Sequence, residues 1–309
     1  MTPPWSAARA HQSRVGRVRH AGATPAIAWK DAAMTSLITP DALAAELAGP
    51  QQPVLLDASF NLTGITGREL YAVAHLPGAQ FVDVDVDLAD PPGAGGRHPL
   101  PDLARLQRTL RRLGLSDDSA VVVYDQGSGM GSARAWWLLT YIGLAGVRVL
   151  DGGLALWQRE GHPVTDEVPG PVAAGGIVIR PGALPLLDAE AAARVAEGGL
   201  LLDARAAERF EGRVEPIDPV AGHIPGAVNA PLAEFTDADG RLLDKEALHA
   251  YFAGLGVFEH AEVAAYCGSG ITAARLALAL RQIGVTAGVY AGSWSEWITD
   301  PGRPVATGS

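Results

Sequence analysis

Val54-Leu55-Leu56-Asp57-Ala58, then His75-Leu76-Pro77-Gly78-Ala79, then Val121-Val122-Val123-Tyr124-Asp125 make up a series that the chain writes twice. It returns as Leu200-Leu201-Leu202-Asp203-Ala204, His223-Ile224-Pro225-Gly226-Ala227 and Val263-Ala264-Ala265-Tyr266-Cys267. The paired Asp, His and Tyr positions lie 146, 148 and 142 residues apart, and each half closes on a Gly-x-Pro-Val quartet, Gly161 to Val164 and Gly302 to Val305. Preserved order at nearly constant spacing marks an internal duplication. Between the apolar runs lie helical patterns: Leu103 to Leu113 and Ala133 to Ile142, then Ala189 to Ala196, Lys245 to Leu255 and Thr272 to Ile283. This alternation predicts, twice over, an α/β domain with a mostly parallel sheet covered by helices on both faces. Ligands of such sheets sit beyond the carboxyl ends of the strands, where the Tyr124-Asp125 and Tyr266-Cys267 turns fall.

The Pro/Gly-rich stretch from Val168 to Gly182 reads as a linker, placing the domains at 35–167 and 183–309. A length of 309 residues suits two cores of ordinary size. A net charge of −10 argues against a nucleic-acid partner, and no apolar run reaches the ~18 residues of a membrane helix. One cysteine permits neither an internal disulfide nor a Cys-rich zinc site; no metal or other cofactor is implied, and a reducing, cytoplasmic compartment is the simpler setting. Residues 1–34 differ from the rest, with five basic side chains against Asp31. They read as a disordered tail or an over-extended start with Met34 as the natural beginning; a mitochondrial presequence is the sharper reading of the same composition.

A lone cysteine is ordinarily a small hydrophobe of a core. Cys267, however, ends an apolar strand and precedes Gly268-Ser269-Gly270-Ile271-Thr272, after which a helix begins. A strand, a loop of small residues and a helix amino terminus direct backbone N–H groups at one point and stabilise an anion there. Such surroundings hold a cysteine as the reactive thiolate below the ~8.5 of a free thiol. The first half carries Asp125-Gln126-Gly127-Ser128-Gly129-Met130-Gly131 at the matching turn, one residue longer to its Ala133-Arg134 than Cys267 is to Ala274-Arg275. An aspartate cannot take up and pass on a sulfur atom, so this domain is expected to be catalytically inactive.

Three motifs in order, Tyr71-x-x-x-His75-Leu76-Pro77-Gly78-Ala79, the Cys267 loop and Tyr290-Ala291-Gly292-Ser293-Trp294-Ser295-Glu296-Trp297, resemble the tandem-domain rhodanese sulfurtransferases over roughly 37 to 305. The resemblance implies two rhodanese-like domains, an inactive first and a catalytic second. It also implies that Cys267 takes a sulfur from a small anionic donor, becomes a persulfide, and passes the outer sulfur to cyanide or to a thiol such as a small thiol or a thioredoxin-like protein. The loop Cys-Gly-Ser-Gly-Ile-Thr is similar to that of the 3-mercaptopyruvate enzymes, whereas thiosulfate enzymes typically place Arg and Lys after the cysteine. On that likeness Gly268, Gly270, Ile271 and Thr272 hold the persulfide with their N–H groups, and Ser269 relays a proton to the leaving carbon. Arg209 matches an arginine that grips the donor carboxylate. The family's second arginine falls where this chain has Pro216-Ile217-Asp218, leaving Arg213 as the stand-in. His75 aligns with the relay histidine, but the relay acid falls near Gly64, and the repetition of His75 at His223 points instead to a structural role.

Other residues read more plainly. Trp136, Trp137 and Trp157 are packing residues, Trp294 lines the pocket, His162 is a lone histidine, and Val82-Asp83-Val84-Asp85-Val86-Asp87 is an edge strand with a wet face. Three other activities compete. Thiosulfate as donor is separated by comparing turnover of the two donors. A cysteine phosphatase needs an arginine six positions after the nucleophile, where Ala273 stands. A non-catalytic sulfur-binding or regulatory module would show no mass gain of one sulfur on Cys267 when mixed with donor.

Overall fold

The structure, a computed structural model, describes Met1 and residues 36–309, so the expectations for the amino-terminal tail lie outside the described residues. The first half runs β1 (Leu37–Ile38), α1 (Pro40–Leu47), β2 (Val54–Asp57), α2 (Gly67–Val73), β3 (Gln80–Phe81), α3 (Leu103–Arg112), β4 (Val121–Tyr124), α4 (Met130–Tyr141), β5 (Val147–Leu150) and α5 (Gly153–Arg159). The second repeats it as β6 (Leu186–Leu187), α6 (Ala189–Gly198), β7 (Leu200–Asp203), α7 (Ala207–Phe210), β8 (Val228–Asn229), α8 (Lys245–Gly254), β9 (Val263–Tyr266), α9 (Ile271–Gln282), β10 (Gly288–Tyr290) and α10 (Ser293–Trp297). Each half forms one parallel five-stranded sheet, β1-β5-β4-β2-β3 and β6-β10-β9-β7-β8. The five helices read from periodicity are α3, α4, α6, α8 and α9. The short α2, α5, α7 and α10 span too few turns for a period to register. No helix among the described residues is long and apolar enough to cross a membrane.

The duplication extends to side chains. Asp57 pairs in register with Tyr124, as Asp203 does with Tyr266. The hydroxyls of Tyr124 and Tyr266 accept the amides of Leu76 (3.0 Å) and Ile224 (3.1 Å), fastening each His-x-Pro-Gly turn to its sheet. His75 stacks on Tyr71 and donates from Nδ1 to its carbonyl at 2.8 Å; His223 does the same with Phe210. Trp157 and Trp297 donate their indole N–H to the carbonyls of Pro163 and Pro304 in the closing quartets.

Helices α4 and α9 bring the halves together: Trp136, Trp137 and Leu139 share one buried cluster with Leu276, Leu278 and Leu280. Both helices follow a glycine in the left-handed region, Gly129 (φ 67°) and Gly270 (φ 83°), conformations that favour a residue without Cβ. The stretch from 168 to 182 is strapped onto the first half, where Gly175 donates to Arg111 O, Ile177 to Leu115 O and Arg180 to Ile142 O, and Ile177 is buried.

The expected edge strand at Val82–Asp87 is instead a turn over Val84–Asp87. The reason is local: Asp83 accepts the amide of Asp85, and Asp87 accepts the amide of Asp83, so the acidic side chains take amides a neighbouring strand would need. His162 is not alone either, since its Nε2 lies 3.2 Å from Asp41 and 3.9 Å from Glu160 while its ring packs on Trp157.

Candidate active site

Strand β9 delivers Cys267 into a tight loop that ends at Gly270, where α9 starts. Cys267 is 2% exposed, and its sulfur accepts one amide, from Gly270 N at 3.1 Å. No hydrogen bond joins the amides of Ile271 or Thr272 to it among the described residues; they belong to the first turn of α9 and point along the helix. The loop is braced from behind by α10: Trp294 N donates to Cys267 O, Ser295 N to Gly268 O, and Cys267 N to Ser293 Oγ. Ser293 adopts a positive φ of 54°, and its hydroxyl bonds both Cys267 N and Tyr290 O. That strained backbone places a hydroxyl where the loop needs an acceptor. Trp294 itself is fully buried beneath Arg205 rather than lining the pocket.

The partners of the loop come largely from the other half. The segment Gly93–His98 crosses onto the second domain, where Arg97 N donates to Ser295 Oγ at 3.0 Å. There His98 Nδ1 meets Ser269 Oγ at 2.7 Å and its Nε2 meets Asp85 Oδ1 at 3.0 Å. Because the Asp85 carboxylate can only accept, Nε2 carries the proton and Nδ1 accepts from the serine hydroxyl. Ser269, His98 and Asp85 thus form a chain from a buried hydroxyl to a half-exposed carboxylate. His75 takes no part: it is enclosed between Tyr71 and the carbonyl of Glu167, its repeat twin occupying the same structural place.

Two guanidinium groups cover Gly268. A Cβ there would lie 2.7 Å from Arg97 Nη2 and 3.7 Å from Arg209 Nη2. Both arginines share Asp218, Arg97 through Nη1 and Arg209 through Nη2 at 3.1 Å, and Arg209 also forks onto Glu215. Burial pushes Asp218 upward against the pull of Arg97. Burial also raises Glu215, but the Arg209 hydrogen bond and the amides of Asp218 and Ile217 outweigh it and hold the carboxyl below its ordinary value. Arg213 is not the second arginine. It pairs with Glu211 at the surface, its side chain 63% exposed. Arg205 is structural, forked onto Asp203 beneath the strand.

Sequence reasoning missed Arg97, His98 and Asp85. Arg97 and His98 follow Gly95-Gly96, a glycine-rich signal, but their targets lie 121 and 171 residues further on. Asp85 was hidden in an alternating pattern that imitates a strand.

A fold of two parallel-sheet domains with a looped cysteine at one switch point defines a class of sulfur-transfer proteins, and comparison with known proteins makes it specific. The chain belongs to the rhodanese family: the model of the rhodanese-like domain matches residues 39–160 and 187–300. A Pseudomonas aeruginosa relative, named provisionally as a 3-mercaptopyruvate sulfurtransferase, is 48% identical over 88% of this chain and 98% of its own. A Mycobacterium tuberculosis relative, SseB, named provisionally as a thiosulfate sulfurtransferase, is 46% identical over 86% of this chain and 96% of its own. The crystal structure of SseA from Escherichia coli, described as a 3-mercaptopyruvate sulfotransferase, superposes with a TM-score of 0.74 at 31% identity, covering 85% of this chain and all of that one. The protein is a sulfurtransferase. The names of its relatives divide between two donors.

Proposed function

We propose that the donor is 3-mercaptopyruvate and that Cys267 carries the sulfur as a persulfide. The observation that carries this reading is the Ser269–His98–Asp85 chain beside the cysteine. The Cys267 thiolate attacks the donor sulfur, a sulfur–sulfur bond forms, and the carbon–sulfur bond breaks with its electron pair going to the methylene carbon. That carbon must gain a proton to leave as pyruvate, and the net proton comes from the donor thiol. The donor-thiol proton passes by way of the Ser269 hydroxyl to the bare Nδ1 of His98, making an imidazolium that Asp85 stabilises, and returns through the same hydroxyl to the methylene carbon. Thiosulfate requires no such step, because sulfite departs with the electron pair and no carbon to protonate.

The arginines support the same choice. Arg97 and Arg209 bring guanidinium nitrogens over Gly268, while Asp218 and Glu215 already balance their two charges. A site so neutralised suits a monoanionic carboxylate better than a dianion. Acceptors in this reading are cyanide, a small thiol or a thioredoxin-like protein, and the setting is cytoplasmic, in keeping with one free cysteine.

Steady-state kinetics with both donors on Ser269→Ala and His98→Asn test the proposal. Turnover of 3-mercaptopyruvate is expected to fall roughly 10²–10³-fold, the ordinary contribution of a positioned acid, with thiosulfate turnover changing less than about tenfold. Equal losses with both donors would refute the relay and, with it, the choice of donor.

A further inference from the structure

Asp218 lies where the two halves meet, its side chain 3% exposed. Its Oδ1 is bound by Nη1 of Arg97 from the first domain, and its Oδ2 accepts from Nη2 of Arg209 in the second at 3.1 Å. One carboxylate therefore joins two guanidinium groups that come from different domains. Glu215 holds this bridge in place: its Oε1 accepts Arg209 Nη2 at 2.7 Å and the amides of Ile217 and Asp218 at 3.1 Å each, which fixes the loop that carries Asp218.

The nitrogens left over gather at the cysteine loop. Among the described residues Arg97 Nη2 and Arg209 Nη1 have no hydrogen-bond partner, and a Cβ on Gly268 would lie 2.7 Å from the first and 3.8 Å from the second. Arg97 Nε is buried and unpartnered there as well. Unfilled donors on two cations, brought over the residue next to Cys267, form a cleft for an anion. Its surroundings fix how much charge it can take. Arg97, Arg209 and Arg205 are answered by Asp218, Glu215 and Asp203, with Arg205 forked onto Asp203 and 3.5 Å from Glu215. These six charges cancel, so a second negative charge on an incoming anion gains no unmatched cation and is repelled by the carboxylates behind the arginines.

We infer that Asp218 is the specificity-determining residue for the donor: it assembles one cleft from arginines of both domains, and its charge makes that cleft select a singly charged carboxylate over a doubly charged anion. Asp218 acts through Arg97 and Arg209 and is a positioning residue. The inference rests on the proposed reading that the anionic group of the donor is held over Gly268. Without the Asp218 carboxylate the cleft gains one net positive charge, and a doubly charged anion profits from it twice as much as a singly charged one.

The test is competitive inhibition of sulfur transfer by two anions that have no sulfur to give, measured at constant ionic strength so that screening is equal. Lactate, a three-carbon monocarboxylate, is the singly charged probe; sulfate, with the shape and charge of thiosulfate, is the doubly charged one. The readout is the ratio of their inhibition constants, since a merely structural loss at Asp218 weakens both anions together. In Asp218→Asn the ratio is expected to shift toward sulfate by at least about tenfold, the ordinary scale for removing one close like charge. Asp218→Glu keeps the carboxylate and with it the wild-type ratio. Arg97→Gln removes a cation instead and shifts the ratio toward lactate. An unchanged ratio in Asp218→Asn, or an equal weakening of both anions, overturns the inference. Should Asp218→Asn fail to fold, an unchanged ratio in Arg97→Gln overturns it as well. Neither probe reports which donor gives sulfur, a question that Ser269→Ala and His98→Asn answer, so the two proposals fail separately.

Discussion

The Asp125 loop and the Cys267 loop occupy the same place on two copies of one sheet, and they differ in what fills the anion position. Asp125 saturates its own loop: its carboxylate accepts Gly127 N and Gly129 N at 2.9 Å each, Ser132 N at 3.1 Å and Ser132 Oγ at 3.0 Å. Cys267 accepts one amide, from Gly270. The first loop is a finished structural element whose donors are satisfied by a side chain that never leaves. The second leaves its sulfur with a single amide, and Ser269, His98, Arg97 and Arg209 gather around its loop from both domains. On the function proposed above, an anion-binding turn becomes a reactive site by leaving its anion position incomplete and importing its chemistry from elsewhere.

The strongest way to break this comparison is to exchange the residues. Cys267→Ser is expected to abolish transfer with either donor, and Asp125→Cys to accept no sulfur from 3-mercaptopyruvate despite its new thiol, because no serine–histidine pair flanks the first loop among the described residues. Intact mass after mixing with donor checks both, and a sulfur adduct at position 125 would show that the loop alone suffices. Next in size are the two forks over Gly268. Arg97→Ala and Arg209→Ala should each raise KM for 3-mercaptopyruvate about 10–100-fold with a smaller fall in kcat, as expected for loss of a charged hydrogen bond worth about 1.5–3 kcal/mol. An unchanged KM would remove that arginine from the donor site.

Asp125→Ala sharpens the comparison from the structural side. It leaves four donors unfilled and should cost about 2–4 kcal/mol of unfolding free energy, read by denaturant titration, while Cys267 keeps its reactivity. The smallest effect concerns the buried aspartates at the strand ends. Asp203 is forked by Arg205, but Asp57 has no cation partner among the described residues, one oxygen is unpartnered there, and burial raises it from 3.8 to about 6. The folded state therefore holds this proton more tightly than the unfolded one. Its cost is fully present above pH 6 and is relieved as pH falls toward 4. Asp57→Asn should gain up to about 2–3 kcal/mol over wild type at pH 7.5 and lose that advantage near pH 4. Asp203→Asn should do the opposite at neutral pH, since it strands Arg205. Thermal unfolding of both variants at the two pH values gives the answer.

Much of this architecture was legible along the chain. The duplication, the parallel sheets, the longer helices and the cysteine loop all depend on residues close in sequence, where periodicity, glycines and strand-end motifs act locally. His75 was legible for the same reason: its repetition at His223 points to a structural role, and Tyr71 and Thr165 hold it in a turn that the second half repeats. Arg213 stood at a plausible distance from Arg209 in sequence and ended at the surface. Arg97, His98 and Asp85 carry no local mark of chemistry, since their partners Asp218 and Ser269 lie in the other domain.

The amino-acid sequence by itself determined the repeated fold, the looped cysteine and the aspartate that stands in its place in the first loop, because side-chain patterning and backbone turns are short-range properties. The docking of α4 against α9 decided the rest. Packing across that interface chooses which distant side chains share a few ångströms, and the Ser269–His98–Asp85 chain and the meeting of Arg97 with Arg209 at Asp218 exist only once that choice is made.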